Sequence, residues 1–428
     1  MTTLTVQVGQ CGNQLGSAFF DALSANLSDD ANSLKRDVFF DHRDCARAVL
    51  IDMEPKVVDR CLNRGQIFQN NPANIRKDRQ LSWSYDRHSA FTQESGAGNN
   101  WAFGFKHFGP ATESAISDSI RHQLEISDRT DAVLLLKSTA GGTGSGVGAY
   151  IQRLLIGNFE IKYPIMTIEL WPFIQGEVCV QAYNTALSLS ASQEFSDLLV
   201  AFENSTMQEI CQSRLNIQKP GFDDINKLVA SHLVHQMIPT VQGGGTSSLV
   251  QHLACLPQYK IATSRYLPQT ASTAVNFQTD EWKGLFSGLG AMLRSGRVVD
   301  FDRRLNSQSN RILVANVCIR GSNPNVLDLK TVLKDRDFFC RAALDPIRVL
   351  VEKTTNTFQG HSKTVSVLAV DQHPVSMMET MVKKASSMLA SNAYVHQYEQ
   401  HGIEKEQLAD AIFNFHETVE RYKALTFI

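Results

Sequence analysis

No apolar run in this chain of 428 residues approaches the length that spans a bilayer. The opening residues, Met1-Thr2-Thr3-Leu4-Thr5-Val6, carry neither a basic n-region nor a long apolar core. A soluble, intracellular protein with no membrane insertion is therefore expected. Blocks of Lys and Arg are also missing and the net charge is only −2, so neither nucleic acid nor an acidic membrane surface is expected as the main partner. The eight cysteines include no Cys-x-x-Cys pair, which argues against a zinc site or a disulfide framework and for free thiols in a reducing compartment. No Gly-Lys pair occurs anywhere, which excludes a P-loop. Internal repeats and low-complexity segments are absent too. What remains is a globular chain, 43% hydrophobic, long enough to bury a large core and to divide into two or three domains.

The most informative stretch runs from Asp131 to Leu155. An apolar run, Ala132-Val133-Leu134-Leu135-Leu136, passes through Ala140-Gly141-Gly142-Thr143-Gly144-Ser145-Gly146-Val147-Gly148 into Tyr150, Ile151, Leu154 and Leu155 at helical spacing. That pattern predicts strand, glycine loop, helix. A loop of glycines and hydroxyls lets backbone N–H groups press against an anion, and the following helix adds unpaired N–H groups and a positive dipole end. The loop reads as a phosphate cradle, against the plainer alternative of a flexible glycine turn. It is not a nucleophile elbow, because Thr143 occupies the place of the first glycine. It meets the dinucleotide fingerprint only loosely, through Gly144, Gly146 and Ala149.

Other turns have the same character. Leu4, Val6 and Val8 alternate as a strand, Gly9-Gln10-Cys11-Gly12-Asn13-Gln14 turns, and Leu15, Phe19 and Ala22 mark a helical face. A short strand from Arg47 to Ile51 ends at Asp52-Met53-Glu54-Pro55, where Asp52 is either a functional carboxylate or a helix N-cap ahead of Pro55. Ser95-Gly96-Ala97-Gly98-Asn99-Asn100-Trp101 is another small-residue turn, and Tyr163 to Trp171 a further apolar strand. Alternating strands and helices over the first 200 or so residues predict a parallel, doubly wound α/β sheet, whose ligands bind outside the carboxyl ends of the strands. From Phe222 to Met237 the apolar spacing predicts a long amphipathic helix, its His232/His235 pair packed or solvated rather than metal-bound. Mixed strands and helices follow Gly243-Gly244-Gly245, and Met377 to Leu425 reads as two helices broken near His401-Gly402. The expected division is 1–204, a linking segment 205–242 with the central helix, a second α/β part 243–375, and a helical region 376–428.

In their order and spacing these turns resemble the tubulin superfamily over nearly the whole chain. Within it, Val49 to Val57, Gly176-Glu177-Val178 and Ala393-Tyr394-Val395-His396-Gln397-Tyr398 look most like the delta subfamily, with gamma- or epsilon-like subunits as alternatives. The resemblance implies a tubulin-like fold, GTP or GDP with Mg²⁺ as cofactors, other tubulin subunits and centriolar proteins as partners, and the centriole or basal body as location. It implies that Gln10 and Cys11 lie against phosphates and metal, and that Gly98, Asn99, Ser138, Gly141, Gly142, Thr143, Gly144 and Ser145 hold phosphates. Glu177 would meet the ribose, Asn204 and Asn226 would bracket the base, and Phe222 would stack on it. Asp52 and Glu54, acting through water, are the metal candidates beside Gln10. In the polymerising family a carboxylate after the central helix activates water on the next subunit's nucleotide. Here no Asp or Glu occurs between Asp224 and Asp280, and Ser248 falls at the acid's place. A structural subunit that binds GTP as a conformational ligand, with at most weak assembly-dependent hydrolysis, is the leading expectation. A self-sufficient GTP hydrolase and a dinucleotide oxidoreductase are the competitors. The closing residues Arg421 to Ile428 lead one to expect no acidic tail of the kind alpha and beta subunits carry.

Overall fold

The computed structural model describes residues 2–27, 32–63, 83–127, 129–159, 161–176, 178–271, 281–299, 310–333, 339–340 and 345–426. Its strands are β1 (Thr2–Val8), β2 (Ala48–Asp52), β3 (Ala90–Thr92), β4 (Thr130–Ser138), β5 (Ile165–Trp171), β6 (Leu198–Glu203), β7 (Ile261–Leu267), β8 (Ile312–Gly321), β9 (Ile347–Lys353) and β10 (Lys363–Asp371). They form one sheet in the order β3-β2-β1-β4-β5-β6-β7-β10-β8-β9. The first six strands run parallel, and β6 continues the pattern onto β7 from Leu199↔Ile261 to Ala201↔Thr263. Beyond β7 the sheet changes character: β10 is antiparallel to both β7 and β8, and β8 is parallel to β9.

The alternation of apolar side chains explains why the parallel half is covered on both faces. Along β4, Leu134 and Leu136 join one cluster with Leu15, Phe19 and Leu23 of the first helix. Val133 and Leu135 point the other way, to Ile116, Ile120, Ile151 and Leu155. Burying both sets, at about 1.5–3 kcal/mol for each Val, Leu or Ile side chain, requires helices on both sides of the sheet. A third cluster, with Trp282, Phe286, Leu289 and Leu293, packs under β8 and β10. The exposed edges are defended: β3 has three residues, and β9 carries Arg348, Glu352 and Lys353.

Three local expectations need correction. The turn expected over Gly9 to Gln14 is a single residue, because Gly9 takes φ +74° and the helix Gly9–Asn26 starts directly from the end of β1. The helix Phe222–Met237 is buried on nearly every side rather than amphipathic, since it lies between the first helix and strands β7 and β10. Its histidines meet hydroxyls of the sheet: His232 Nδ1 lies 3.0 Å from Ser264 Oγ, with Nε2 left without a partner among the described residues, and His235 meets Ser366 Oγ at 2.6 Å and Thr364 Oγ1 at 2.8 Å. The C-terminal region forms three helices, Val375–Ala390, Val395–Glu399 and Lys405–Lys423, with a second break at Ser391 to Tyr394 as well as the one at His401-Gly402. Among the described residues no helix is long and apolar enough to cross a membrane.

Candidate functional site

The turns after β1, β2, β3 and β4 meet at the carboxyl edge of the sheet. At Gly9 and Gly142 glycine is required by backbone-on-backbone packing. A Cβ on Gly9 would stand 2.9 Å from the Gly144 nitrogen; one on Gly142 would stand 2.6 Å from the Ala97 oxygen and 2.7 Å from the Asn100 nitrogen. The glycine loop leaves Ser138 at the end of β4 and passes through a wide turn, Thr143–Val147, into the helix Gly148–Gly157. Within it, Ser145 Oγ donates to the Gly141 carbonyl. Gly98 and Asn99 both take left-handed backbone, φ +56° and +53°, which brings the Asn99 side chain beside Gly141.

The floor of this arrangement is polar and fully buried. Lys137 Nζ donates to Gln152 Oε1 at 3.1 Å and Ser188 Oγ at 2.9 Å, and lies 3.5 Å from Glu169 Oε1. Desolvation pushes that lysine below its usual range against the pull of Glu169. The cation next in sequence to the loop is thus held below it, and the loop itself presents backbone N–H groups and hydroxyls. Asn13 Nδ2 ties the first helix to β2 by donating to the carbonyls of Gly9 at 2.9 Å and Ile51 at 3.1 Å.

Around this cradle the expected residues fall as follows. Gln10 is exposed and Cys11 half-buried on the first turn of the helix Gly9–Asn26, and desolvation pushes the Cys11 thiol up to about 12, so it stays neutral. Asp52 is not a helix cap. The helix Pro55–Leu62 has Glu54 at its N-cap, while Asp52 Oδ1 accepts from the backbone N–H of Met53 at 2.8 Å and of Glu54 at 3.4 Å. Burial raises the Asp52 carboxyl to about 6, over the opposing effect of those two bonds. Glu54 is exposed, with its carboxylate across Gly96.

Asn204 opens the helix Asn204–Ser213 after β6, with its Oδ1 buried and without a hydrogen-bond partner among the described residues. That helix packs on the central one, which carries Phe222 and Asn226 in its first two turns. Phe222 is 54% exposed, its ring 6.2 Å from that of Phe173, so an aromatic face stands open at this end of the sheet. Glu177 lies outside the described residues. Ser248 is at the opposite edge: its helix, Thr246–Leu253, meets the amino end of β1 through Thr246 Oγ1, 3.2 Å from Thr3 Oγ1. There Ser248 Oγ accepts from Arg348 Nη1 at 2.8 Å.

Sequence reasoning missed one residue that organises the cradle. Asn184 Nδ2 donates to the carbonyls of Asn99 at 2.8 Å and Ala140 at 2.7 Å, while its Oδ1 accepts from Trp101 N at 2.9 Å and Tyr398 Oη at 2.7 Å. In the sequence Asn184 is one of several polar residues in the segment Gln181 to Phe195, so nothing there singled it out.

The GTPase domain of the tubulin/FtsZ family matches residues 2–212, the segment that carries the turns after β1, β2, β3 and β4. Over 99% of both chains the sequence is 33% identical to the tubulin delta chain of Macaca fascicularis and 32% identical to that of Homo sapiens. The Mus musculus delta chain is 30% identical, over 99% of this chain and 100% of its own length. The chain belongs to the tubulin family, as a GTP-binding subunit similar along its length to delta chains.

Proposed function

We propose that this subunit holds one guanine nucleotide at the carboxyl edge of the parallel strands and uses it as a conformational ligand within a microtubule structure. The convergence of the turns after β1, β3 and β4, backbone against backbone at Gly9, Gly142 and Gly144, carries the reading. Such a surface accepts an anion through N–H groups rather than through a lysine. In this reading Gln10, Cys11, Gly98, Asn99, Ser138 and Gly141 to Ser145 face the phosphates. Phe222 stacks on the base, and Asn204 and Asn226 hydrogen-bond to it, the unpartnered Asn204 Oδ1 accepting from guanine. Glu177 completes the set at the ribose.

Mg²⁺ fits the donors present. Asp52 is a nearly buried carboxylate whose raised proton affinity is countered by no basic side chain among the described residues, and a hydrated cation beside it would keep it ionised. Asp52 and Glu54 would hold the metal's waters and Gln10 would assist; the metal would neutralise phosphate charge. Residues 1–204 form the nucleotide-binding part, followed by the central-helix linker 205–242, an α/β part 243–375 and the helical region 376–428.

The relatives' name, tubulin delta chain, supports other tubulin subunits and centriolar proteins as partners, and the centriole or basal body as the place of action. Ser248, on the amino edge opposite the nucleotide, supports a subunit that does not activate the nucleotide of a neighbour stacked there. The test is to denature the purified protein, chromatograph what is released, and then measure phosphate release with added GTP. Bound guanine nucleotide with negligible turnover is the expected result. Rapid turnover by isolated protein, or no guanine nucleotide retained or taken up, refutes it.

A further inference from the structure

The C-terminal helix Val395–Glu399 reaches the cradle through buried polar contacts. Tyr398 is fully buried, and its hydroxyl donates to Asn184 Oδ1 at 2.7 Å. Burial beside Tyr183 holds that phenol well above its ordinary range, so it remains a donor. Asn184 passes the constraint to both phosphate loops, bonding the carbonyls of Asn99 and Ala140 and the Trp101 N–H. A second link runs in parallel, from Asn100 Nδ2 to the Gln397 carbonyl at 3.0 Å. Asn99 holds a left-handed backbone conformation that is strained for a residue with a side chain, and Asn184 fixes its carbonyl. The outer side of the same helix is open: His396, Glu399 and Gln400 are exposed.

We propose that Tyr398 is a positioning residue for the phosphate loops, and that through Asn184 it couples the phosphates of a bound nucleoside triphosphate to the surface helix Val395–Glu399. The inference rests on the phosphate-cradle reading above. It adds a direction of signalling: filled loops hold Asn99 and Ala140 in place, Asn184 is thereby fixed, and the Tyr398 helix loses its freedom to open. By linkage, anything that grips the outer side of that helix tightens the phosphates equally.

The test is hydrogen exchange over residues 395–400 of the full chain, alone, with guanosine and with GTP. GTP is expected to slow exchange there and guanosine to leave it unchanged. In Tyr398→Phe the cavity is unaltered and only the hydroxyl is lost. That variant is expected to bind guanosine as the wild type does but GTP three- to tenfold more weakly, roughly the range for one hydrogen bond, and to lose the protection. Tyr183→Phe is the control. It removes a bond from the helix Gln181–Phe195, which also carries Asn184, to the Ala393 carbonyl, at 3.1 Å, without removing any bond of Asn184, and should leave the GTP-to-guanosine ratio alone. An unchanged ratio in folded Tyr398→Phe, or exchange over 395–400 in the wild type that GTP does not slow, overturns the coupling. The wild-type exchange experiment decides without any variant. A wild type that binds neither ligand overturns the cradle reading and the coupling with it.

Discussion

Acid should weaken this fold through the central helix, and His232 sets a lower bound on how much. The imidazole is fully buried between Phe202 and Tyr266, and desolvation takes it from the ordinary 6.5 down to about 3. The unfolded chain therefore takes up a proton at His232 near pH 6.5 that the folded chain refuses. Its contribution to stability is complete above about pH 6.5 and is lost as the pH falls toward the folded value. At about pH 5 the loss is some 1.5 units at 1.36 kcal/mol each, ~2 kcal/mol, and this holds for any folded value below about 4. Against a total of about 5–15 kcal/mol, that is a large fraction. His235, pushed well below its usual range by burial and by Arg320, adds in the same sense. The assay is urea unfolding followed by circular dichroism at pH 7.5 and about pH 5, on the wild type and on His232→Asn, whose amide can still reach Ser264. Comparing the two pH values within each protein cancels the packing cost of the substitution. The variant should lose ~2 kcal/mol less than the wild type on acidification. Equal losses in the two proteins would refute the reasoning.

Three further outcomes follow from contacts at or near the candidate site. In Gly146→Ala the new Cβ would stand 2.3 Å from the Trp101 oxygen and 3.0 Å from the Phe105 nitrogen, both backbone, so the loop must shift. A stability loss of about 1–3 kcal/mol and loss of retained nucleotide are expected, read by thermal melting and by chromatography of released ligand. Asn204→Ala removes a buried acceptor that has no partner among the described residues, so stability without ligand should be unchanged or higher while guanine-nucleotide affinity falls roughly ten- to a hundredfold by titration. A fall in stability without ligand would contradict this. Ser248→Glu alone should restore little hydrolysis in a co-assembly assay, because Arg348, whose Nη1 also reaches the Ser248 carbonyl at 3.0 Å, would capture the new carboxylate. Phosphate release should rise only when Arg348→Met is added, and equal rates in the single and double variants would refute the capture.

Strands β1, β4 and β5 were legible from the sequence through the alternation Leu4, Val6, Val8 and the apolar residues of 132–136 and 165–171, although Gln7, Lys137 and Glu169 are buried among them. So were the glycine turns, because positive φ and close backbone approach leave a residue-level mark at Gly9 and Gly142. The short edge strand β3, and β6, β9 and the helix Trp282–Ser295, were not read. Edge strands are stabilised by a neighbour rather than by their own pattern, and β6 is a six-residue run that periodicity alone cannot separate from helix.

Local chemistry fixed which backbone segments could form an anion-binding surface, because glycine, proline and alternating apolar residues act over a few positions. Only the tertiary structure decided what stands around them. His232, His235 and Gln236 look like the polar side of a helix until β7, β8 and β10 close over them with Ser264, Asn316 and Ser366. Asn184 and Tyr398 are 214 positions apart, and nothing in the sequence around either points to the other. A buried hydrogen bond between distant residues leaves no periodic trace in either segment, because its free energy depends on the desolvated place where the folded chain brings the two together.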